Sequence, residues 1–199
     1  MKLPVLLAAL AVLVVAPSAF AQDHGMDHSS GDHAMHANMP PMRGNDGPRA
    51  SPNAGVMQTI GTTMVMVHYS RPAVNDREIF GGLVPFGEVW RTGANEATAI
   101  SFSGDVEIGG QALAAGTYGL FTIPGEDEWT VIFNRTAEQW GAMSYDDAQD
   151  ALRATATPMA AASAQEQFQI SFEDVTDESA TMVLAWDDVR VPVSISVAN

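Results

Sequence analysis

Met64, Met66 and His68 alternate with Val65, Val67 and Tyr69 along residues 62–69, a two-residue period that places the two sets on opposite faces of a strand buried on at least one side. From Ser51 onward the chain keeps this texture, with short alternating apolar segments separated by Gly, Pro, Asn and Asp. Asp105-Val-Glu-Ile and Gln111-Ala-Leu flank Gly109-Gly110, whose glycines supply the positive φ of a tight turn, so a hairpin is predicted there. Residues 117–123 and 128–134 flank Pro124-Gly125-Glu126-Asp127 and predict a second hairpin. Residues 180–186 and 189–197 alternate around Asp187-Asp188 and predict a third, with Pro192 placing the last strand at an edge or a bulge. Ser144-Tyr-Asp-Asp147 has the form of a helix start, but Pro158 follows soon. One or two helical turns are predicted there, then a strand near residues 152–157 and a loop over the Ala-rich residues 159–164. There is no internal repeat. Many short strands at this spacing predict an all-β domain with little helix: an antiparallel β-sandwich, with a barrel as the alternative.

The pattern before Ser51 is of another kind. Residues 1–21 hold one lysine, an apolar run broken by Pro4, and the small-residue triplet Ala19-Phe20-Ala21, which reads as a cleavable signal peptide. The uninterrupted run of roughly 12 to 15 residues is short of the 20 or so that span a bilayer, and no basic flank follows it. Residues 22–50 contain no aromatic residue, no β-branched residue and no periodicity, so they cannot bury enough apolar surface to offset their ordering entropy. Three segments are therefore expected: a signal peptide (1–21), a disordered His/Met-rich tail (22–50) and one β-domain (51–199).

The chain has no cysteine, which excludes disulfides and lipid attachment through a thiol. Its formal charge is −15, from nine Lys plus Arg against 24 Asp plus Glu. Loss of Lys2 with the signal peptide takes this to −16 and leaves eight arginines and no lysine. Such a surface repels nucleic acid and anionic lipid and attracts cations, although acidity is also an ordinary solubility device. The expectation is an exported protein, periplasmic or secreted, with no nucleic-acid partner and no stable membrane anchor after cleavage.

Residues 22–42 concentrate four of the five histidines and four of the eleven methionines. The candidate metal ligands are Gln22, His24, Met26, His28, His33, Met35, His36, Met39 and Met42, with Asp23, Asp27 and Asp32 among them. Imidazole suits copper, zinc and nickel, and thioether selects reduced copper, so the mixture points to copper. A flexible chain pays ordering entropy to wrap a metal, so several weak to moderate sites are expected. Cleavage after Ala21 adds a sharper possibility: Gln22-Asp23-His24 offers a free amine, two amides and an imidazole as a square-planar nitrogen set for Cu(II) or Ni(II), unless Gln22 cyclises. The competing reading is a solubilising low-complexity tail that binds metal only incidentally.

The stretch Tyr69-Ser-Arg-Pro72, Arg77-Glu-Ile-Phe-Gly-Gly-Leu-Val-Pro-Phe-Gly87 and Val89-Trp-Arg-Thr-Gly-Ala-Asn-Glu-Ala-Thr98 resembles a bacterial exported family catalogued as domain of unknown function 2911. The resemblance continues through Ala115-Gly-Thr-Tyr118, Ile123-Pro124, Trp129-Thr130, Asn134 and Trp140-Gly141, and covers most of residues 51–197. It implies export and no established activity. The His/Met tail lies outside the family pattern, so a metal role belongs to this chain's tail.

A second candidate site is Trp90-Arg-Thr-Gly-Ala-Asn-Glu96 with Tyr69, Arg71 and Arg77. Three of the eight mature arginines fall within residues 71–91. Arginine forks bind carboxylate or phosphate, and Trp90 can stack a ring or sugar, so Tyr69, Arg71, Arg77, Trp90, Arg91, Asn95 and Glu96 form a candidate site for a small anionic or carbohydrate ligand. The competing reading is structural: Arg91 or Arg71 pairs with Glu96, while Gly93 and Asn95 supply turn geometry. His68 is expected to be a satisfied histidine, and Trp90, Trp129, Trp140 and Trp186 to be packing residues. Asp146, Asp147 and Asp150 lack calcium-loop spacing and read as a solvated turn. With no cysteine, no GxSxG and a single domain histidine, nucleophilic catalysis has no constellation. The chain thus reads first as a non-enzymatic copper-binding or copper-buffering protein and second as a small-molecule or carbohydrate-binding module. An enzyme using Glu96 as acid or base stands third.

Overall fold

Alternation from Asn53 to Ile60 and from Thr63 to Ser70 builds two antiparallel strands, β1 (Asn53–Ile60) and β2 (Thr63–Ser70), with Val65, Val67 and Tyr69 turned inward as their spacing requires. A computed structural model describes residues 47–197. It continues with β3 (Thr98–Phe102), β4 (Val106–Ile108), β5 (Gln111–Leu113), β6 (Gly116–Ile123), β7 (Trp129–Asn134), β8 (Asp150–Ala156), β9 (Met159–Glu173) and β10 (Ser179–Val197). One sheet has the order β1-β2-β3-β6-β7-β8 and the other the order β5-β4-β10-β9, with every strand pair antiparallel. The two open sheets pack face to face, so the sandwich is confirmed and the closed barrel is not formed. The expected signal peptide (1–21) and most of the expected tail (22–50) lie outside the described residues.

The core is the layer between the sheets. Val67 and Tyr69 of β2, Ile100 and Phe102 of β3, Leu120 of β6 and Phe133 of β7 meet Phe168 and Ile170 of β9 and Leu184, Trp186, Val193 and Ile195 of β10. A smaller cluster of Ala97, Phe121 and Ile132 covers the opposite face of the larger sheet beneath Tyr145 and Ala142. Each fully buried large side chain contributes about 1.5–3 kcal/mol, which lets the domain hold together without covalent staples.

The hairpins predicted at Gly109-Gly110 and around Pro124-Gly125 both form, the first with positive φ at both glycines. The third does not. Asp187-Asp188 lies inside the continuous 19-residue β10, where Asp187 adopts φ 54° and shifts the register with β9. A bulge uses the same residue types as a turn, which is why the pattern misled. The loop predicted over residues 159–164 is instead the first part of β9, drawn into strand by pairing with β10. Pro192 falls between the last β9 pair, Arg190 with Met159, and the first β4 pair, Ile195 with Ile108, where its missing N–H costs no ladder bond. The predicted helical turns shrink to one 3-10 turn at Asp147–Gln149, capped by Asp146 in place of Ser144. No helix among the described residues is long and apolar enough to cross a membrane.

Candidate functional site

Residues 71–97 leave β2, cross one end of the sandwich and return to the adjacent β3. Ile79, Phe80, Val84 and Trp90 anchor this long loop in the core. Phe80 meets Trp90, Trp129 and Trp186 edge-on, with ring centroids 6.0, 4.9 and 6.1 Å away. Trp90 and Trp186 stack at 5.7 Å with planes 17° apart. Arg91 and Asn95 follow Trp90 on the same loop.

The expected site residues divide into three groups. Tyr69 and Arg71 are structural. The Tyr69 hydroxyl accepts from the Ile170 N–H at 3.1 Å within the core, and the Arg71 Nε donates to the Phe168 carbonyl at 2.9 Å, so both fasten β9 across the sandwich. Glu96 pairs with neither Arg71 nor Arg91, contrary to expectation. Its carboxylate takes Arg49 Nη1 at 2.9 and 2.8 Å in a half-buried pair, which ties the segment before Ser51 to the domain. Arg49 lies in a compositionally biased stretch with no periodic signal, so nothing in the linear pattern connects it to Glu96.

The third group comes together. Arg77, Trp90, Arg91 and Asn95 line one cavity of about 300 Å³ with Leu83 and Trp186. Arg77 is partly held by its own turn, donating to the Val74 and Ala73 carbonyls at 3.0 and 2.5 Å. Asn95, at φ 61°, donates to the Ser51 carbonyl at 3.2 Å, and Gly93 shares the turn with positive φ, as the sequence indicates. Trp90 Nε1 donates to the Gly93 carbonyl at 3.0 Å.

Two donors at this cavity are unsatisfied. Arg91 Nε and Trp186 Nε1 are both buried and make no hydrogen bond. Burial also lowers the pKa of the Arg91 guanidinium, since no neighbouring carboxylate compensates for lost water. Leaving a buried donor unpaired costs about 1–3 kcal/mol, and more for a charged group, so two at one cavity are an expense the fold alone does not explain. No acidic residue lines the cavity among the described residues, although the chain carries 24 acids. Trp186 packs in the core, as its place in the alternating pattern predicts. Its missing N–H partner has no signature in a linear pattern.

Trp129 and Trp186 are core as expected, while Trp140 is 57% exposed, on the covering segment that bridges to Glu96. The Asp150 carboxylate accepts from Asn134, Tyr145 and Arg153 at 2.7–2.8 Å, so at this position the turn is hydrogen-bonded where a solvated acid was expected. The tail ligands from Gln22 and His24 to Met42 lie outside the described residues. Among the described residues no group of three or more His, Asp and Glu side chains could hold a metal ion.

No curated protein and no solved structure matches the chain. A family model does, over residues 51–195, with boundaries that follow the sandwich from just before β1 into β10. The chain therefore belongs to the family described as protein of unknown function DUF2911.

Proposed function

We propose that the sandwich is a binding module for a small anionic ligand, most simply a carboxylate, taken up in the cavity at the end of the sheets. One observation carries this reading: Arg91 Nε and Trp186 Nε1 are buried donors without partners at the same cavity. A carboxylate within reach of both would pair them and return a counter-charge to the desolvated guanidinium. A carbohydrate stacked on Trp90 is disfavoured, because that ring is only 7% exposed and is stacked on Trp186. Glu96 is bound by Arg49 and does not line the cavity, which supports binding without acid–base chemistry. If residues 1–21 direct export, the ligand is met outside the cytoplasm.

Thermal denaturation of the mature chain against a panel of small carboxylates, phosphate, sulfate and neutral sugars tests the reading. At least one anion should raise Tm saturably, and Arg91→Met should weaken its binding by about tenfold or more, as expected for loss of a charge-assisted bond. Stabilisation by sugars alone, or an anion effect that persists unchanged in Arg91→Met, would overturn it.

A second reading, copper capture by the tail, rests on the concentration of His24, His28, His33 and His36 with Met26, Met35, Met39 and Met42. Competition titration with Cu(I) and Cu(II) before and after replacing these eight residues by serine tests it. Unchanged copper affinity would remove it.

A further inference from the structure

The outward face of β1 and β2 is unlike the rest of the surface. Alternation turns Val65, Val67 and Tyr69 into the core, so Met64, Met66 and His68 point the other way. The register sets Met66 directly opposite Met57, Met64 opposite Thr59, and His68 opposite Gly55. Three thioethers and one imidazole thus occupy neighbouring positions on two paired strands, with directly opposed Cβ atoms roughly 5 Å apart. Methionine has three rotatable bonds, so Met57 and Met66 can converge on one point with His68, while Met64, about 13 Å from His68 along the strand, borders that point on the other side of Met66.

Gly55 shapes the arrangement. A Cβ built there would lie 3.0 Å from His68 Cδ2 and 3.5 Å from His68 Nε2, so the imidazole lies across β1 in the space the glycine leaves, beside Met57. Its backbone needs no positive φ, and glycine inside a strand costs about 0.5–1 kcal/mol, so space is the reason for it. On the far side β3 offers only Ala99 opposite His68 and Ser101 opposite Met66, both small. None of these positions carries a charge, in a chain of net charge −15. An outward sheet face normally carries polar side chains, yet Met57 is 57% exposed here.

We propose that Met57, Met66 and His68 form a binding site for Cu(I), with Met64 at its border. Thioether and imidazole without carboxylate are the donor set that favours a soft monovalent cation over hard or borderline divalent ones. The site is separate from the anion cavity and does not require the tail.

The test uses the full mature chain with ¹³C-labelled methionine methyl groups, titrated with Cu(I) under ascorbate and, as a redox-inert soft ion, with Ag(I). The Met57, Met64 and Met66 resonances, assigned through single Met→Leu variants, should shift together and saturate, and Zn(II) should leave them in place. Met→Leu nearly conserves volume, so an unchanged backbone amide spectrum certifies the fold. Met66→Leu and His68→Gln should each weaken saturation of the remaining resonances by about tenfold or more. The proposal fails if only Met26, Met35, Met39 and Met42 move, if Zn(II) moves the three domain methionines equally, or if both variants retain the original affinity.

Discussion

Asn134, fully buried at the end of β7, donates its amide to the Asp150 carboxylate at 2.8 Å and to the Asp146 carbonyl at 2.9 Å. Its own Oδ1 accepts from the Thr136 N–H at 2.9 Å. One side chain therefore organises the segment that folds over the outer cluster, at the point where the β7–β8 register shifts. Asn134→Ala removes three hydrogen bonds made by one buried side chain and should cost about 1–3 kcal/mol. Urea denaturation measures this, with an unchanged m-value if the fold is retained.

Arg91 and Arg71 should respond in opposite directions to the same substitution. Arg71→Met forfeits a bond to the Phe168 carbonyl and should destabilise by about 1–2 kcal/mol. Arg91→Met removes a desolvated cation whose Nε has no partner and should raise stability by about 1 kcal/mol in the absence of ligand. Thermal melts of the two variants against wild type give the comparison, and a destabilised Arg91→Met would show that the arginine serves packing.

Asp187 titrates above its ordinary value of 3.8, chiefly through burial and then through the negative charges of Asp188 and Glu166. The folded state holds this proton more tightly than the unfolded chain does. The favourable contribution is therefore complete below pH 3.8 and is lost as pH rises through the folded value, leaving the ionised group a net cost at pH 7. Asparagine also adopts the left-handed backbone found here, so Asp187→Asn should raise Tm at pH 7, with the gain vanishing at about pH 3. Melting curves at the two pH values decide it.

Burial, followed by a hydrogen bond to Asp150, pushes the Tyr145 hydroxyl up to about 12. The stability linked to this proton is fully present below pH 10 and is lost as pH rises through about 12. Phenolate absorbance should therefore show a late-titrating tyrosine, missing in Tyr145→Phe and moved toward ordinary values in Asp150→Asn.

Sequence periodicity resolved those parts of the fold in which inward and outward positions alternate strictly. Val65, Val67 and Tyr69 needed nothing more, and Gly109-Gly110 could form only a tight turn. It failed where strand identity comes from a distant partner: Met159–Ala164 has a weak pattern of its own and is strand because β10 pairs with it. For the candidate site, the cluster of Arg77, Trp90, Arg91 and Asn95 was visible as a concentration of cations and turn residues. Which arginine was bound and which was bare depended on Phe168 and Arg49, residues that no local spacing connects to the site.

The position of β10 in the smaller sheet sets the order in which this molecule can be made. That strand lies between β4 and β9, and it supplies Leu184, Trp186, Val193 and Ile195 to the shared core. A growing chain that has reached Asp177 has already produced the whole larger sheet, but nothing yet joins β4 to β9, and the apolar undersides of both sheets remain wet. Closure waits for β10, the last strand among the described residues, and for contacts between residues far apart in the chain, the regime of slow folding. The unfinished polypeptide is thereby kept loose until β10 arrives, and a truncation of that strand removes the keystone of the sandwich.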